Sequence, residues 1–490
     1  MRNNPFSPGC VLLFTTFLLT TTAIAGNDRG LPSEAVFPES CVESEHETVV
    51  TNLIAAHVTG GMGWKTRLSV GNLSSTASSS LRFDAYNQTG QLIESKTVSP
   101  IVKLGRFSAS ADELFSVNTL QQDFWVMVVS NGPVMGTLDF GTTDGLAWTS
   151  LPMPKTGSTE LYFPYVYETN DSLYYTGITL VNLEEATASI RMEGYSENGT
   201  KMGEYSVVMP SHGKIVRLVS QIFPGGLSSS IRQVKVSSDK RLAGFELFGR
   251  WDVKGLAGLP AIQGSVAGHP ASNGDHGVMS EDRTLYYTET PKNVDYYTGV
   301  TFTNLSSSAF AATVEIFNQQ GDRFGMKTWD LAPYQQVTRE IWDSAGTEPH
   351  PFPAWMKVTA PGRLAGFELM LTRIGNYRFE GVSARSAAQT IAFPSVFITP
   401  TSVYIRVINP GPETVTGVLI GTQYMNNEDS FPFQVDTYTF EIPPHRIIFS
   451  REQMSPLFHI MQSSSPVLAD IYQVSPDGQN LVILEGQPVE

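Results

Sequence analysis

The sequence is poor in cysteine, with two residues of this type, Cys10 and Cys41, in a chain of 490. Two cysteines cannot build a disulfide framework or a four-cysteine zinc site, so both kinds of small stabilised domain are excluded. Charged residues are also few, at 16% where about 25% is usual for soluble domains. The net charge is −15 and no basic cluster is present, which argues against nucleic acid as a partner.

Long hydrophobic runs are equally scarce: the chain has one, residues 11–25, and it contains five Thr. The run is shorter than the roughly 20 apolar residues that span a bilayer, which favours a cleaved secretory signal over a retained membrane anchor. Arg2 precedes the run, and Ala23-Ile24-Ala25 ends it as a cleavage site. We therefore predict a signal peptide at residues 1–25, no transmembrane segment after its cleavage, and a secreted, periplasmic or cell-surface location.

What the sequence does contain is an internal repeat. A strand-like run ends in asparagine four times, 105 to 122 residues apart, at Asn72, Asn182, Asn304 and Asn409. A turn glycine follows 17 or 18 residues later in the first three copies, at Gly90, Gly199 and Gly321. A second landmark, 61 to 64 residues after each asparagine, aligns Gly136, Gly244, Gly366 and Asp470. Two landmarks that keep one register across four copies predict four units of the same fold.

Both landmarks have a structural interpretation. Asparagine adopts left-handed backbone angles or bridges a turn with its side chain, so it suits the end of a strand. Glycine at the second landmark permits close packing of backbones or a β-bulge. Because every copy keeps these positions, we expect them to support the scaffold rather than to carry chemistry.

Inside one unit the pattern is β throughout, and no long stretch has a helical period. The second copy predicts seven short strands, at residues 161–166, 177–181, 189–195, 205–209, 214–219, 233–236 and 243–248. Seven strands in about 100 residues are typical of a β-sandwich. Short helical turns are expected near residues 113–115 and 221–223, with Asp112 and Ser220 as their N-caps.

Changes of composition divide the chain into domains. An N-terminal linker is expected at residues 26–45, after the signal peptide. The β-sandwich repeats follow at residues 46–155, 156–268, 283–388 and 389–490, with a second linker at 269–282. Because the linkers are short, we expect the array to be only semi-flexible.

The strand–Asn–strand–Gly pattern and the Leu-Ala-Gly-Phe-Glu-Leu strand, at residues 242–247 and 364–369, carry a resemblance. The unit resembles the tandem immunoglobulin-like β-sandwich repeats of exported bacterial proteins, from residue 51 to the C-terminus. The resemblance implies an all-β chain of four sandwiches with a surface, adhesive or spacer role. The paired cysteines of antibody domains are absent, so the likeness is architectural. The alternative is a β-propeller-like closed array, although the repeat period is more than twice the length of an ordinary blade.

A search for catalytic chemistry is negative. The chain has no G-x-S-x-G elbow, P-loop, dinucleotide-binding or H-E-x-x-H motif, and its eight histidines occupy non-equivalent positions. Residues 273–282 are rich in oxygen and imidazole groups but lack the ligand spacing of a calcium site, so we favour a solvated linker there. We predict no catalytic residue, no cofactor and no metal site. A hydrolase with a site between units is the least supported alternative.

Repeated aromatic residues are the strongest candidates for ligand binding. Two tyrosine pairs precede the same strand in copies two and three: Tyr174, Tyr175, Tyr296 and Tyr297. Trp64 lies nearby in copy one. Exposed rings at these positions would stack on sugars, whereas buried rings would pack between neighbouring units or cap a core.

The sequence therefore predicts a non-enzymatic exported protein that serves as a surface or extracellular scaffold for adhesion-type interaction. Its partner would be a protein or a glycan, since an acidic chain repels anionic surfaces. The alternative is a carbohydrate-binding protein that uses the four tyrosines as stacking platforms.

Overall fold

The computed structural model describes residues 50–489 apart from short gaps, at residues 62, 145–146, 170–172, 252–254, 265–283, 289–295, 348–353, 373–377, 394–401, 424–433, 453–457 and 475–480. The predicted signal peptide, both predicted linkers and Cys41 lie outside the described residues. Residues 48–490 form one compact unit.

The described residues lie mostly in antiparallel β-strands, so the prediction of an all-β protein is confirmed. The stretches that carry the first and third landmark asparagines each form two four-stranded sheets, and the other two stretches each form one eight-stranded sheet in which a long strand joins two such halves. We call the strands of each stretch a sheet pair, and its two halves the sheets of that pair. The first pair contains β1 (Thr51–Val58), β2 (Trp64–Asn72), β3 (Ser79–Asn87), β4 (Leu92–Ile101), β5 (Arg106–Ser110), β6 (Phe124–Ser130), β7 (Val134–Thr142) and β8 (Trp148–Pro152). The second contains β9 (Ser158–Phe163), β10 (Tyr174–Asn182), β11 (Ala188–Tyr195), β12 (Lys201–Met209), β13 (Lys214–Leu218), β14 (Gln233–Arg250), β15 (Gly255–Pro260) and β16 (Ile262–Gln263).

The remaining strands form the other two pairs. The third contains β17 (Thr284–Tyr287), β18 (Tyr296–Asn304), β19 (Phe310–Asn318), β20 (Arg323–Leu331), β21 (Gln336–Glu340), β22 (Ala354–Thr359), β23 (Leu364–Thr372) and β24 (Arg378–Ser383). The fourth contains β25 (Ala388–Phe393), β26 (Ser402–Ile408), β27 (Val415–Gln423), β28 (Gln434–Ile442), β29 (Ile447–Glu452), β30 (Phe458–Val474), β31 (Leu481–Glu485) and β32 (Gln487–Pro488).

One strand order recurs in all four pairs. In the first pair, one sheet has the order β1-β6-β3-β4 and the other has the order β5-β2-β7-β8. The third pair repeats both orders, as β17-β22-β19-β20 and β21-β18-β23-β24. In the second and fourth pairs the sixth and seventh strands are fused, into β14 and β30, which take part in both sheets. None of the sheets closes into a barrel within the described residues.

The long strand β14 differs from the sequence prediction. Separate strands are predicted at residues 233–236 and 243–248, because the polar residues between them have the composition of a turn. The first part of β14 pairs with β11, and its second part pairs with β10. The polar residues stay extended because the strand passes there from one sheet to the other. The prediction also lacks β15, which contains turn-forming glycine and proline.

Side chains from both sheets of a pair share one hydrophobic core. In the first pair, one sheet contributes Leu53, Phe83 and Val126, and the other contributes Leu68 and Leu138, all of them buried. Successive residues of a strand point to opposite faces, so one face of each strand supplies this core. The same hydrophobic cluster extends into the second pair through Val181, Ala243 and Phe245.

Within the described residues, helical structure consists of single turns. These are α1 (Ala111–Leu114), α2 (Val117–Leu120), α3 (Val219–Ile222), α4 (Ile341–Ala345) and a 3₁₀ turn (Leu227–Ser230). The helical turns predicted near residues 113–115 and 221–223 are present, but the predicted caps Asp112 and Ser220 are wrong. Ser110 and Leu218 are the N-caps, and their backbone N–H groups donate to the side chains of Glu113, at 2.7 Å, and Gln221, at 3.0 Å.

The four landmark asparagines hold strand ends together through their side chains. Asn182 is fully buried; its Nδ2 donates to Ala186 O at 2.7 Å and to Pro210 O at 2.9 Å, and its Oδ1 accepts from Glu184 N at 3.1 Å. The other three make equivalent bonds. The predicted bridging by the side chain is confirmed. None of the four has a positive φ, so the side-chain bridge, and not tolerance of a left-handed backbone, accounts for asparagine at these positions.

The second landmark is correctly aligned in three copies and displaced by one residue in the fourth. Gly136, Gly244 and Gly366 each lie opposite the residue two places before the landmark asparagine. Ala469, rather than Asp470, occupies this position in β30. A Cβ on Gly244 would lie 2.1 Å from Thr179 O, which explains why glycine is needed for the close approach of β14 to β10.

Each sheet pair packs against the next, and the fourth packs against the first. The eighth strands β8, β15, β24 and β31 contact one another in that order, and β31 also contacts β8. Arg385 Nη2 donates to Ala469 O of the fourth pair at 3.0 Å. Gln487 Nε2, from the equivalent position, donates to Gly136 O of the first pair at 3.3 Å. The contacts between sheet pairs therefore run in a closed cycle.

Candidate functional site

The sheet pairs are joined by a recurring contact between two turns, which we call the turn contact. Each of the three turn glycines identified in the sequence has a positive φ and lies against a turn of the next pair. The facing residues also have a positive φ: His212 opposite Gly90, Tyr334 opposite Gly199 and His445 opposite Gly321. A backbone hydrogen bond accompanies each contact, from Lys214 N to Gln88 O, from Gln336 N to Glu197 O and from Ile447 N to Gln319 O.

Aromatic rings cover the turn contacts. Tyr86 lies 4.8 Å from His212, Tyr195 lies 4.6 Å from Tyr334, and Phe317 lies 5.3 Å from His445, between ring centroids. Trp125 Nε1 donates to His212 O at 2.8 Å, and Trp355 Nε1 donates to His445 O at 3.0 Å. The same arrangement at three positions shows that the turn contact, and not only the single unit, is repeated along the chain.

A charged cluster lies beside the first turn contact. Lys214 Nζ, which is fully buried, contacts Asp123, donates to Phe124 O at 2.7 Å and lies 2.7 Å from His57 Nδ1. Burial, together with the charge of Lys214, lowers the pKa of His57 to about 4. Burial lowers the pKa of Lys214 to about 8 against the opposing effect of Asp123. The side chain of Lys214 is inaccessible, so its ammonium group serves the contact between two sheet pairs, whereas Asp123 is 30% exposed.

A buried acid lies next to the contact between the second and third pairs. Glu246 is fully buried in β14, and burial raises the pKa of its carboxyl well above the usual range, although the backbone N–H of Tyr165 lowers it. That N–H donates to Glu246 Oε1 at 3.1 Å, so the acid holds the segment that follows β9. In the third pair Glu368 accepts from Thr288 N at 2.8 Å in the same way. Both acids therefore support the backbone.

Tyr174, a predicted ligand-stacking residue, packs within an aromatic cluster. Its ring stacks on Phe248 at 5.7 Å with an interplanar angle of 7°, and it meets Tyr167 edge-on at 5.2 Å. Tyr165 extends the cluster to Phe367 of the third pair, with 4.4 Å between the ring centroids. Tyr174, which is half-buried, thus belongs to the packing between two sheet pairs.

Tyr175 and Trp251 form a separate aromatic pair at the surface. Tyr175 lies across Gly249, and its ring stacks on Trp251 with centroids 4.0 Å apart and an interplanar angle of 29°. Burial raises the pKa of Tyr175 to about 12, whereas Trp251 is 61% exposed. Sequence reasoning missed Trp251, which directly follows β14. Gly249 pairs with Tyr175, and period-two alternation places the side chain of Trp251 on the same face as Gly249.

The other two predicted tyrosines lie on a different sheet. Tyr296 and Tyr297 begin β18, whose partners are β21 and β23, so β18 and β10 do not pair with each other. Tyr297 is half-buried, and the side chain of Tyr296 lies outside the described part of the chain. The four tyrosines therefore do not form one continuous row on a sheet.

The described residues contain neither a candidate membrane-spanning helix nor a candidate metal cluster. None of the helices there has the length and apolarity needed to span a bilayer. Nor does this part of the chain bring together three or more His, Cys, Asp or Glu side chains that could hold a metal ion.

Comparison with known proteins does not show a family for the chain. No protein-family model matches it, and no curated protein matches it. Two solved structures are weakly similar: a β-glucuronidase of Bacteroides uniformis, and β-glucuronidase 2 of the same organism bound covalently to cyclophellitol-6-carboxylate aziridine. Identities are 9% and 10%, and both TM-scores are 0.10. Each match covers 51% of this chain and 26% of the other, and at this level it carries no argument about fold or activity.

Proposed function

We propose that the protein is a non-enzymatic exported scaffold for adhesion-type interaction at a cell surface or in the extracellular space, with a protein or a glycan as its partner. The supporting observation is the cycle of contacts between sheet pairs, in which the turn contact recurs three times. Buried contacts of this kind hold neighbouring units in fixed orientations. Loops and exposed edges can then present a binding surface without reorganisation.

We also propose that the four sheet pairs are immunoglobulin-like β-sandwich repeats. The second and fifth strands share one sheet and the third and sixth share the other, as B and E, and C and F, do in an immunoglobulin domain. The first, fourth and seventh strands lie in the other sheet relative to the constant-type order, since β1 lies beside β6, β4 beside β3 and β7 beside β2. The likeness therefore rests on the four central strands.

The proposal is tested with the purified chain lacking residues 1–25. We expect saturable binding to an extracellular protein or a glycan on arrays of both, and no turnover of a panel of chromogenic glycosides, esters and peptides. Turnover that copurifies with the chain and survives a second purification route would overturn the non-enzymatic assignment. Failure to bind on either array would count against the scaffold.

The second candidate function is carbohydrate binding, and the exposed ring of Trp251 is the observation that favours it. Tyr175 backs this ring, and Trp251 N donates to Leu173 O at 3.0 Å, so the indole is held in place before a ligand arrives. A fixed aromatic face suits the C–H-rich side of a pyranose ring. Under this proposal the predicted residues Tyr174, Tyr175, Tyr296 and Tyr297 would contribute further contacts.

Substitution of Trp251 by alanine separates the two candidates better than substitution of the tyrosines, because Tyr174 also packs between sheet pairs. If Trp251 carries glycan binding, Trp251→Ala should weaken it by about tenfold or more, since loss of one stacked ring costs about 1–3 kcal/mol. Tyr438→Ala, at an exposed tyrosine of β28, is the control and should bind like the wild type. Equal glycan binding by Trp251→Ala and by the wild type would exclude the ring of Trp251 as a stacking surface for glycans.

A further inference from the structure

The cluster of His57, Asp123 and Lys214 fixes the protonation of His57 by geometry. An ammonium group has three N–H donors, and Lys214 Nζ has three acceptors: the carboxylate of Asp123, Phe124 O and His57 Nδ1. Nδ1 can accept only through its lone pair, so His57 must be neutral while Lys214 is charged. A proton on Nδ1 would place an N–H 2.7 Å from the ammonium nitrogen.

Protonated His57 has a competing partner in the same cluster. Its Nδ1 lies 3.2 Å from Asp123 Oδ1, the carboxylate that also binds Lys214. A charged His57 would therefore take Asp123 from Lys214, which would be left buried with one backbone carbonyl as its acceptor. A buried ammonium without a counter-ion is strongly unfavourable.

Loss of the ion pair between Lys214 and Asp123 would weaken the contact between the first two sheet pairs. His57 and Asp123 belong to the first pair, at the end of β1 and just before β6, whereas Lys214 begins β13 of the second pair. The backbone N–H of Lys214 also makes the hydrogen bond of the first turn contact, to Gln88 O at 3.1 Å. Displacement of Lys214 thus acts directly on that contact.

We propose that the His57–Asp123–Lys214 cluster is an acid-sensitive lock between the first and second sheet pairs, which protonation of His57 releases. Among the described residues, the charged groups facing His57 are Asp123 and Lys214, and β7 contributes the neutral ring of Phe140 at 5.4 Å. His212, the other titratable group at this contact, faces Glu185 at 3.2 Å and the rings of Tyr86 and Trp125. It does not contact the cluster.

The direction of the pH effect follows from the lowered pKa of His57. The locked state binds the proton only near pH 4, whereas an opened state would bind it near 6.5. The lock is therefore fully formed above pH 6.5 and weakens as the pH falls towards 4. At pH 4 the opening equilibrium should favour the open state by about a hundredfold more than at pH 7.5.

Amide hydrogen exchange of the full mature chain between pH 4 and 7.5, corrected for intrinsic rates, measures this opening in β1 and β13. We expect protection there to fall by about a hundredfold in the wild type and to change little in His57→Gln, whose amide oxygen accepts from Lys214 but does not titrate. In Lys214→Met the acid effect should reverse, because protonated His57 then pairs with Asp123 unopposed.

The control is His445→Asn, which alters the histidine of the third turn contact, the counterpart of His212, and should leave the response of β1 and β13 unchanged. The same acid response in wild type and His57→Gln would overturn the lock. So would constant protection in the wild type, or a loss of equal size at β21, which belongs to the second turn contact.

Discussion

Replacing Asn182 with aspartate is expected to destabilise the second sheet pair by about 3–5 kcal/mol. Asn182 is fully buried, and its Nδ2 donates to the carbonyl groups of Ala186 and Pro210. An ionised aspartate would place its negative charge next to those carbonyl oxygens. A protonated aspartate has one O–H group, which cannot donate to both carbonyl groups as the two N–H groups of Asn182 do. Each buried carbonyl left without a donor costs about 1–3 kcal/mol.

Urea denaturation, with amide exchange of β10 and β14 as the local measurement, tests this expectation. Asn198→Asp is the matched control, because Asn198 is exposed in the turn between β11 and β12. The same chemical change there should alter the free energy of unfolding by less than about 0.5 kcal/mol. Equal effects of the two substitutions would show that the side-chain bridges of Asn182 do not support the strand ends.

Local sequence pattern was sufficient for the asparagines and for most strands, because alternation and turn composition are local properties. The local pattern failed where pairing with other strands determines the conformation of the backbone. The polar stretch between residues 236 and 243 resembles a turn, but β10 and β11 pair with the two ends of β14 and keep the chain extended. The caps Asp112 and Ser220 failed by two residues, since the side chains of Glu113 and Gln221 fix the helix starts.

The left-handed residues at the turn contacts were beyond sequence reasoning. His212, Tyr334 and His445 have φ values of 52°, 57° and 57°, although bulky residues seldom adopt this conformation. Each is held there against a glycine of the preceding sheet pair. The partner lies more than 100 residues away along the chain, so no local pattern indicates it.

The candidate site was predictable in its residue types but not in its arrangement. Tyr174 and Tyr175 are adjacent in β10, so their rings lie on opposite faces of the strand. The ring of Tyr174 belongs to the cluster that reaches the third sheet pair, whereas the ring of Tyr175 stacks on Trp251. The closed cycle of contacts has no local signal in the sequence. It depends on contacts such as that of Gln487 with Gly136, which join the two ends of the compact unit.

Replacing Gly90 with alanine is expected to destabilise the contact between the first two sheet pairs by about 3 kcal/mol or more. Gly90 has a φ of 84°, where a side chain costs about 1–2 kcal/mol. Its Cβ would lie 1.7 Å from Ser211 O, a backbone atom that cannot move without displacing the turn that contains His212. Overpacking of this kind adds about 1–3 kcal/mol.

Gly226→Ala separates the two contributions, because Gly226 has a φ of 81° and a Cβ there would meet nothing within 4 Å. Urea denaturation of Gly226→Ala should therefore show only the cost of a side chain at positive φ, a loss of about 1–2 kcal/mol in the free energy of unfolding. Gly321→Ala should fall between the two, since its Cβ would lie 2.8 Å from Pro444 O. If Gly90→Ala lowers the free energy of unfolding by no more than Gly226→Ala does, Gly90 is needed for the conformation of its own turn and not for the turn contact. The graded order would instead show that the turn contact selects glycine at this position in the first three copies, because two sheet pairs must meet there backbone to backbone.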